Sequence, residues 1–558
     1  MIDQERWLLR RRPDDSFLHT VPWLDPVVAR VLYARHIDEP STIQAYLAAP
    51  VGLTSDPLEL PDMRVALSRL RAAVSSGELV AVYGDFDADG MCATALLVNA
   101  LQRSGARVQA YIPDRFDEGY GLNTAALASL RAAGVSLVVT VDCGIRSYDE
   151  VIAARDSGLD VIITDHHSVP TILPPACAVV DAKRSDSAYP YNELCGTGIA
   201  FRLAQALLDD SAEPYLDLVA VATVADIVPL CDENRALVRL GLDWLRHRAR
   251  PGLAALMQVA GITPSAVTSS DIAFRLAPRL NAAGRLANAW LGYALLASQD
   301  EDEALELAQQ LDALNQQRQE MLDAQHHQAL ALVQTANDDR CLFVAGEGLH
   351  QGLVGLIAGR LCEEHYRPAF VMTANGSYYT GSARSIAGFH VTHALETCAD
   401  LLVRFGGHEA AAGFTLRAEA YNELRARIQA YANATLTEQD LIPSRRVDAI
   451  VSLDEVSVQT PRALAGLGPF GQGNPEPLLA SRGLVIKEAH RMGRDNRHLR
   501  LRVASGVSSV KAVGWGLGAL ADRLRVGERV DLLYTPEVDT FDGNEWLQLN
   551  ITSVRPAR

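Results

Sequence analysis

The sequence predicts an α/β protein: two α/β domains joined by a long helix, followed by a small C-terminal β-barrel. Three observations carry this. Short apolar runs alternate with Ala/Leu-rich helical stretches from about Leu79 to Ile227. A stretch from Gln299 to about Asn337 has helical composition and contains neither Gly nor Pro. Beyond about Arg445, closely spaced strand-like segments take over. A chain of 558 residues is too long for one compact core, and three or four domains are expected.

Residues 1–48 read as an N-terminal helical region rich in Arg, Ala and Leu, punctuated by Pro13, Pro22, Pro26 and Pro40, with no evident chemistry. Residues 49–298 form the first α/β domain. Its strands are expected at Leu79–Tyr83, Val108–Ile112, Leu137–Val141, Val161–Thr164 and Ala178–Val180. Helices at Met91–Ser104, Thr124–Ala133 and Tyr148–Ser157 lie between them. Strands alternating with helices argue for a mostly parallel sheet covered on both faces. The helix over 299–337 would span on the order of 55 Å at ~1.5 Å per residue. A coiled-coil seam is the alternative reading. A strut between domains is favoured, because the apolar seam is short and strand patterns resume at Cys341. Residues 338–435 make the second α/β domain. Residues 445–558 carry strands at Leu484–Lys487, Leu499–Val503, Ser509–Gly514, Arg529–Thr535 and Trp546–Ile551. So many short strands in so few residues suit an OB-like barrel.

Composition sets bounds. The chain is 48% hydrophobic and 21% charged, as an ordinary globular protein is. The start, Met1 to Arg10, is charged and lacks a signal-peptide core, and no apolar run has membrane-spanning length. The 8 cysteines include no Cys-x-x-Cys pair, so neither a zinc knuckle nor a disulfide framework is suggested. Cytoplasm is the expected compartment. The net charge of −17 argues against a generic nucleic-acid binder, but local patches outweigh sums. Between Arg482 and Arg502 lie Lys487, His490, Arg491, Arg494, Arg497, His498 and Arg500, opposed only by Glu488 and Asp495.

The densest chemistry is Gly84-Asp85-Phe86-Asp87-Ala88-Asp89-Gly90, directly after the first strand. Carboxylates that close repel strongly unless a cation lies between them. The spacing also fits the start of a calcium loop. That loop needs a carboxylate six positions after its glycine, and Leu96 stands there instead. Three more segments end an apolar run in Asp or His: Val141-Asp142-Cys143-Gly144, Thr164-Asp165-His166-His167 and Ala225-Asp226-Ile227. A strand-end Asp alone is more often a cap or turn former. Together, at the carboxyl edge of a parallel sheet, these residues could hold two ions. Oxygen-rich ligation with little nitrogen suits manganese or magnesium better than zinc.

Asp165-His166-His167 is the name-giving motif of the DHH phosphoesterase superfamily, and the chain resembles its RecJ family. The likeness extends through Tyr111–Gly121, Asn281-Ala282-Ala283-Gly284-Arg285-Leu286, Gly381-Ser382-Ala383-Arg384-Ser385, Gly406–Phe414 and Pro469–Pro477. Two small departures are Ala222-Thr223, where Gly-Thr is frequent, and Asp181-Ala182-Lys183, where Asn-Pro is common. The resemblance implies that 49–298 is a DHH domain, 338–435 a DHH-associated domain and 445–558 an OB domain that binds DNA. It implies a 5′→3′ exonuclease that degrades single-stranded DNA to mononucleotides in recombination and repair. Mn2+ or Mg2+, as a pair of ions, would be held by Asp85, Asp87, Asp89, Asp142, His166 and Asp226. Asp142 would bridge, and Asp85 would either ligate or orient a ligand. His167, Asp142 and Asp165 form the implied catalytic set. Arg115, Arg285, Ser382, Arg384 and His408 would bind substrate, with Ser382 and Arg384 at a 5′-phosphate. Lys487, Arg491, Arg494, Arg497 and Arg500 would hold DNA. Trp515, Tyr534 and Trp546 are stacking candidates, with barrel core as the favoured reading. The implied partners are a RecQ-type helicase and a single-stranded-DNA-binding protein, and a monomer is expected. Other DHH activities, such as pyrophosphatase, oligoribonuclease or cyclic-dinucleotide phosphodiesterase, usually come without an OB domain. A non-catalytic DNA-binding scaffold would have lost ligands that this chain keeps.

Overall fold

A computed structural model describes residues 5–48, 55–208, 212–333, 339–541 and 543–557. The chain divides into two compact units. One comprises Pro50–Gln325 together with the short stretch Pro469–Pro475. The other comprises Met1–Ala49, His326–Gly468 and Glu476–Arg558.

The first unit is built on a five-stranded, wholly parallel sheet. The strands are Leu79–Tyr83, Arg107–Tyr111, Val135–Val141, Asp160–Thr164 and Ala178–Val180, in spatial order second, first, third, fourth, fifth. The central runs are continuously apolar because both faces are covered. Alternate residues of one strand enter different cores. Val80 and Val82 pack with Leu96 and Leu97 of helix Ala88–Arg103, whereas Ala81 and Tyr83 pack with Leu127, Leu130 and Val151 on the opposite face. Two of the helices beside the sheet start where the sequence provides a cap. Asp87 caps Ala88–Arg103, and Asn123 accepts the N–H groups of Ala125 and Ala126 to open Thr124–Ala132. The strand bounds match the sequence reading to within two residues. The long helix runs Glu301–Leu332, shorter than expected; residues 334–337 of the expectation lie outside the described residues. Ala304, Ala308 and Leu311 of this helix are buried in the unit's own core.

In the second unit, a sheet runs in the order Leu402–Gly407, Ala411–Arg417, Tyr378–Arg384, Ala369–Asn375, Leu342–Gly346. It is antiparallel except for its last pair. Strands Leu479–Met492, His498–Ser505, Ser508–Gly514, Asn544–Pro556 and Arg529–Phe541 follow one another around a barrel, closed by pairing of the first with the last. Tyr534 is fully buried and shares a 2.9 Å hydrogen bond with Ser481. It is barrel core and not a stacking surface.

The N-terminal region is not purely helical. Helices Asp15–Thr20, Pro26–Ala34 and Pro40–Ala48 are present, but strand Arg6–Leu9 precedes them and pairs in parallel with Ser444–Val447. Trp7 packs against Val447 and Leu533 under the guanidinium of Arg555, which lies 3.8 Å from the ring. A strand whose partner is more than four hundred residues away leaves no local period to read.

Candidate metal centre

The strand order reverses between Leu79–Tyr83 and Val135–Val141. In an open parallel sheet the crevice outside the carboxyl ends at such a switch point is where ligands bind. The chain leaving these two strands carries Asp85 and Asp142. Asp165 leaves the next strand and Asp181 the last. Asp226 arrives from another direction, as the C-terminal cap of helix Leu216–Ala225.

Two of the carboxylates are aimed by backbone donors. Asp87 Oδ1 accepts the N–H groups of Asp89 and Gly90 at 2.9 and 3.1 Å, so it caps its helix and keeps its second oxygen for another task. Asp89 accepts Gly196 N–H and Thr197 N–H, one on each oxygen, both at 2.7 Å. These donors open helix Gly196–Leu208, whose N-terminus favours negative charge. Position 196 must be glycine: a Cβ there would lie 2.5 Å from that of Asp142. Asp142 has φ +62°, a left-handed conformation that Asp tolerates better than most residues. Gly90 lets the loop close, since a Cβ there would lie 2.6 Å from the Asp85 backbone. The loop is braced from behind. Asn281 Oδ1 accepts Ala88 N–H at 2.8 Å, and a side chain at Gly284 would strike the Phe86 carbonyl at 2.2 Å.

Ligand atoms of Asp85, Asp87 and Asp142 lie within 4.8 Å of one another, as do those of Asp142, His166 and His167, and those of Asp89, His166 and Asp226. Asp142 and His166 are shared between sets. His166 Nε2 lies 3.1 Å from Asp142, 3.6 Å from Asp226 and 3.9 Å from Asp89. Burial, and then the neighbouring carboxylates, push the acids of Asp85, Asp142 and Asp226 well above the usual range. Burial lowers His166 to about 4, so its ring is neutral and its lone pair available. Among the described residues, Oδ1 of Asp85, Oδ1 of Asp142 and both ring nitrogens of His166 are buried without a hydrogen bond. Buried polar atoms are rarely left so. Convergent carboxylates plus a neutral imidazole fit a hard divalent cation such as Mn2+ or Mg2+.

Asp165 is different. It accepts Ile145 N–H, His166 N–H and His167 N–H at 2.9, 2.8 and 3.2 Å, and pairs with His167 Nδ1 at 2.8 Å. Burial alone would raise its acid, but the His167 bond and charge outweigh this and hold it below the usual range. His167 is raised in turn, because the Asp165 bond outweighs its own burial. Asp165 therefore orients His167 and belongs to none of the convergent sets.

Arg115 lies beside the acidic loop, its guanidinium 4.9 Å from the Phe86 ring. Arg285 follows Gly284 on the bracing helix Ala277–Leu286. In the other unit, Ser382 and Arg384 stand two residues apart on one strand, and Arg384 Nη1 donates to Ser382 Oγ at 2.8 Å. A Cβ on Gly355, in the first turn of helix Val354–His365, would lie 3.1 Å from Arg384 Nη2 and 3.2 Å from Ser382 Oγ, so the start of that helix lies close to the guanidinium. His408 is exposed at the end of strand Leu402–Gly407. On the barrel, Arg491 pairs with Asp522 and Arg497 with Asp495. Lys487, Arg494 and Arg500 are exposed and carry no ion pair among the described residues. Trp515 and Trp546 are 56% and 61% exposed, free of the core role that Tyr534 fills.

Sequence reasoning missed Gly196 and Thr197, which seat Asp89, and Gly355 beside Arg384. A Gly-Thr-Gly helix start was the available signal for the first. Tyr120 gives no separate signal inside its motif; its hydroxyl lies 3.1 Å from His167 Nδ1 and 3.3 Å from the Asp142 carbonyl. Asp181, a departure from the family pattern, is fully buried, and burial pushes its acid up to about 7.

Three family models match the chain: the DHH family, N-terminal domain over residues 79–223, the DHHA1 domain over 338–434 and the RecJ OB domain over 447–553. The single-stranded-DNA-specific exonuclease RecJ of Bacillus subtilis is 38% identical over 556 residues, covering 99% of this chain and 71% of the relative. The crystal structure of Thermus thermophilus RecJ in complex with Mn2+ superimposes with a TM-score of 0.86 at 30% identity, covering 100% of this chain and 80% of that one. The Mg2+ complex of the same protein gives 0.80 at 29% identity, covering 100% and 79%.

Proposed function

The chain belongs to the RecJ family, and from that premise we propose that it is a metal-dependent exonuclease that degrades single-stranded DNA from the 5′ end to mononucleotides. The observation that carries this reading is the convergence of buried, unpartnered Asp85, Asp142 and His166 atoms at the switch point of the sheet, in a family whose named members act on single-stranded DNA. Asp85, Asp87, Asp89, Asp142, His166 and Asp226 would hold the cations, with Asp142 common to both. When bound, such ions supply Lewis acidity to the scissile phosphate and its attacking water.

The protein's own groups do the rest. His166, neutral through burial, offers a lone pair without a proton to displace. Although burial lowers the pKa of His167, the bond and charge of Asp165 outweigh it and favour the protonated ring. With Nδ1 turned to that carboxylate, Nε2 is the atom that can donate to the leaving oxygen. Asp165 is a positioning residue here. Tyr120 packs edge-on against the His167 ring and limits its swing. Arg285 and His408 serve phosphates near the cut. Ser382 and Arg384, helped by Arg115, serve the 5′ end, where a guanidinium binds a terminal phosphate in bidentate fashion. Lys487, Arg494 and Arg500 hold the strand beyond the cut, with Arg491 and Arg497 contributing once released from their acidic neighbours. Trp515 and Trp546 offer faces for stacked bases.

No helix among the described residues is long and apolar enough to cross a membrane. The reading places the protein in the cytoplasm as a monomer. It would act in recombination and repair beside a RecQ-type helicase that unwinds its substrate and a single-stranded-DNA-binding protein. The test is cation-dependent release of nucleotides from strands labelled at either end. A 5′ label should leave first as a mononucleotide, duplex DNA should resist, and chelation should stop the reaction. Release from the 3′ end first, or cleavage that survives chelation, would overturn the proposal.

A further inference from the structure

The geometry points to a second, remote determinant of the metal centre: we propose that the turn Pro469–Pro475 positions Asp226 and thereby sets the affinity for the cation. This rests on the reading of the cluster as a nuclease metal site. The turn falls within the stretch matched by the OB model, yet it packs as part of the catalytic unit while the chain on either side belongs to the other unit.

Asp226 needs such help. Helix Leu216–Ala225 ends at Asp226, whose N–H still donates to the Ala222 carbonyl at 2.9 Å. The next residue, Ile227, has φ +60° and is 69% exposed. That left-handed position at a helix end is normally taken by glycine, and a β-branched residue there is an outlier. Such a conformation persists only where the surroundings over-determine it. Ile227 itself is exposed, so the restraint comes from the residues after it in the chain. Pro229 O accepts Asn234 Nδ2 at 3.1 Å and Tyr191 hydroxyl at 3.3 Å. Leu230 N–H donates to the Gln472 carbonyl at 2.7 Å. A Cβ on Gly471 would lie 2.7 Å from Leu230 Cδ1. Gly473, at φ +75°, would place one 3.0 Å from Cys231 Sγ and 3.2 Å from Pro229 Cβ.

The turn is itself stiff. Gly471 and Asn474 exchange backbone hydrogen bonds at 2.9 and 3.2 Å, and the buried Asn474 Nδ2 donates to the Pro469 carbonyl at 2.9 Å. It is tied down by Ser269 Oγ, which donates to the Phe470 carbonyl at 2.7 Å. Two glycines thus bring the turn against the segment three to five residues beyond Asp226. The covalent chain then continues to the barrel strand that starts at Leu479.

The test uses the full-length protein without DNA and measures Mn2+ affinity from the electron paramagnetic resonance of free Mn2+. Gly473→Ala introduces a Cβ at the contact. Gly506→Ala, at φ +55° with open space around it, matches the backbone penalty away from the turn. Outer-shell partners of metal ligands are typically worth ~10–100-fold in affinity. Folded Gly473→Ala should therefore bind Mn2+ about ten-fold more weakly, with Gly506→Ala like wild type. Asp226→Asn should weaken binding, and adding Gly473→Ala to it should cost nothing further, because both act through one ligand. Nuclease rate should return at high Mn2+, as a loss of affinity rather than of turnover. If Gly473→Ala fails to fold, Ser269→Ala loosens the same turn by one hydrogen bond and should weaken Mn2+ binding in the same direction. Wild-type affinity in the folded variant, or additive losses in the double variant, overturns the inference while leaving the nuclease reading intact. A wild-type protein that binds no Mn2+ overturns both.

Discussion

Replacing Asp142 by Asn probes the shared ligand with little steric change, and Asn accepts the φ of +62° as readily as Asp. The side chain makes no hydrogen bond through Oδ1, so the change leaves no orphaned partner. In metal-free protein, Asp142 ionises against burial and against Asp89, Asp87, Asp226 and Asp85, which raises its acid well above 3.8. A group raised on folding stabilises fully below its unfolded value and loses that contribution as pH rises through the folded one. Metal-free Asp142→Asn should therefore be more stable than metal-free wild type at neutral pH, by a margin that disappears toward pH 4. Added Mn2+ reverses the order. At about 100 times its dissociation constant it stabilises wild type by about 2.7 kcal/mol, on the order of 5 °C in melting temperature, and the variant by little. Cleavage should fall about 1,000-fold, corresponding to about 4 kcal/mol of transition-state stabilisation, while single-strand binding by fluorescence anisotropy is preserved. The assay pairs thermal melts with and without Mn2+ with single-turnover cleavage. A variant that Mn2+ stabilises as much as wild type, or one keeping about a tenth of the rate, would refute the shared-ligand reasoning.

Other consequences are equally direct. Asp165→Asn removes the partner that raises His167, so the alkaline limb of the pH–rate profile should move to lower pH; an unmoved limb would exclude His167 as the proton donor. Arg384→Ala should reduce the preference for a 5′-phosphate over a 5′-hydroxyl by roughly ten- to a hundred-fold, as a charge-assisted hydrogen bond of about 1.5–3 kcal/mol implies, read as the ratio of kcat/KM on matched oligonucleotides. Arg500→Ala, which breaks no ion pair among the described residues, should lower the salt slope of single-strand binding by about 0.7. Arg497→Ala should lower it less, because Asp495 already neutralises that guanidinium at 2.9 Å; equal slopes for the two variants would show that the pairing does not persist in solution.

Three strands of the parallel sheet were legible because each is a buried apolar run that leads into a candidate acidic residue. Leu79–Tyr83 leads to Asp85, Val135–Val141 to Asp142 and Asp160–Thr164 to Asp165, so pattern and chemistry coincide. What holds these groups was not legible. Asp89 is seated by backbone N–H groups of Gly196 and Thr197 more than a hundred residues away, and a backbone donor has no side chain to announce it. The brace from Asn281 and Gly284 and the turn at Pro469–Pro475 are long-range for the same reason. Tyr534 fits the favoured core reading, whereas Trp515 and Trp546 depart from it, because an aromatic on a barrel strand faces in or out according to a register that the sequence does not fix. Strand Arg6–Leu9 was missed because its pairing with Ser444–Val447 is tertiary. Asp87 shows that alternatives at one residue need not compete, since it is both a helix cap and a candidate ligand.

The most direct measurement is anomalous diffraction at the manganese edge from crystals of the protein grown with Mn2+. Anomalous density is expected between Asp85, Asp87, Asp89, Asp142, His166 and Asp226, with Asp142 Oδ1 and His166 at ligand distance. Manganese bound elsewhere, with these carboxylates and the imidazole left unliganded, would contradict a metal centre at this edge of the sheet.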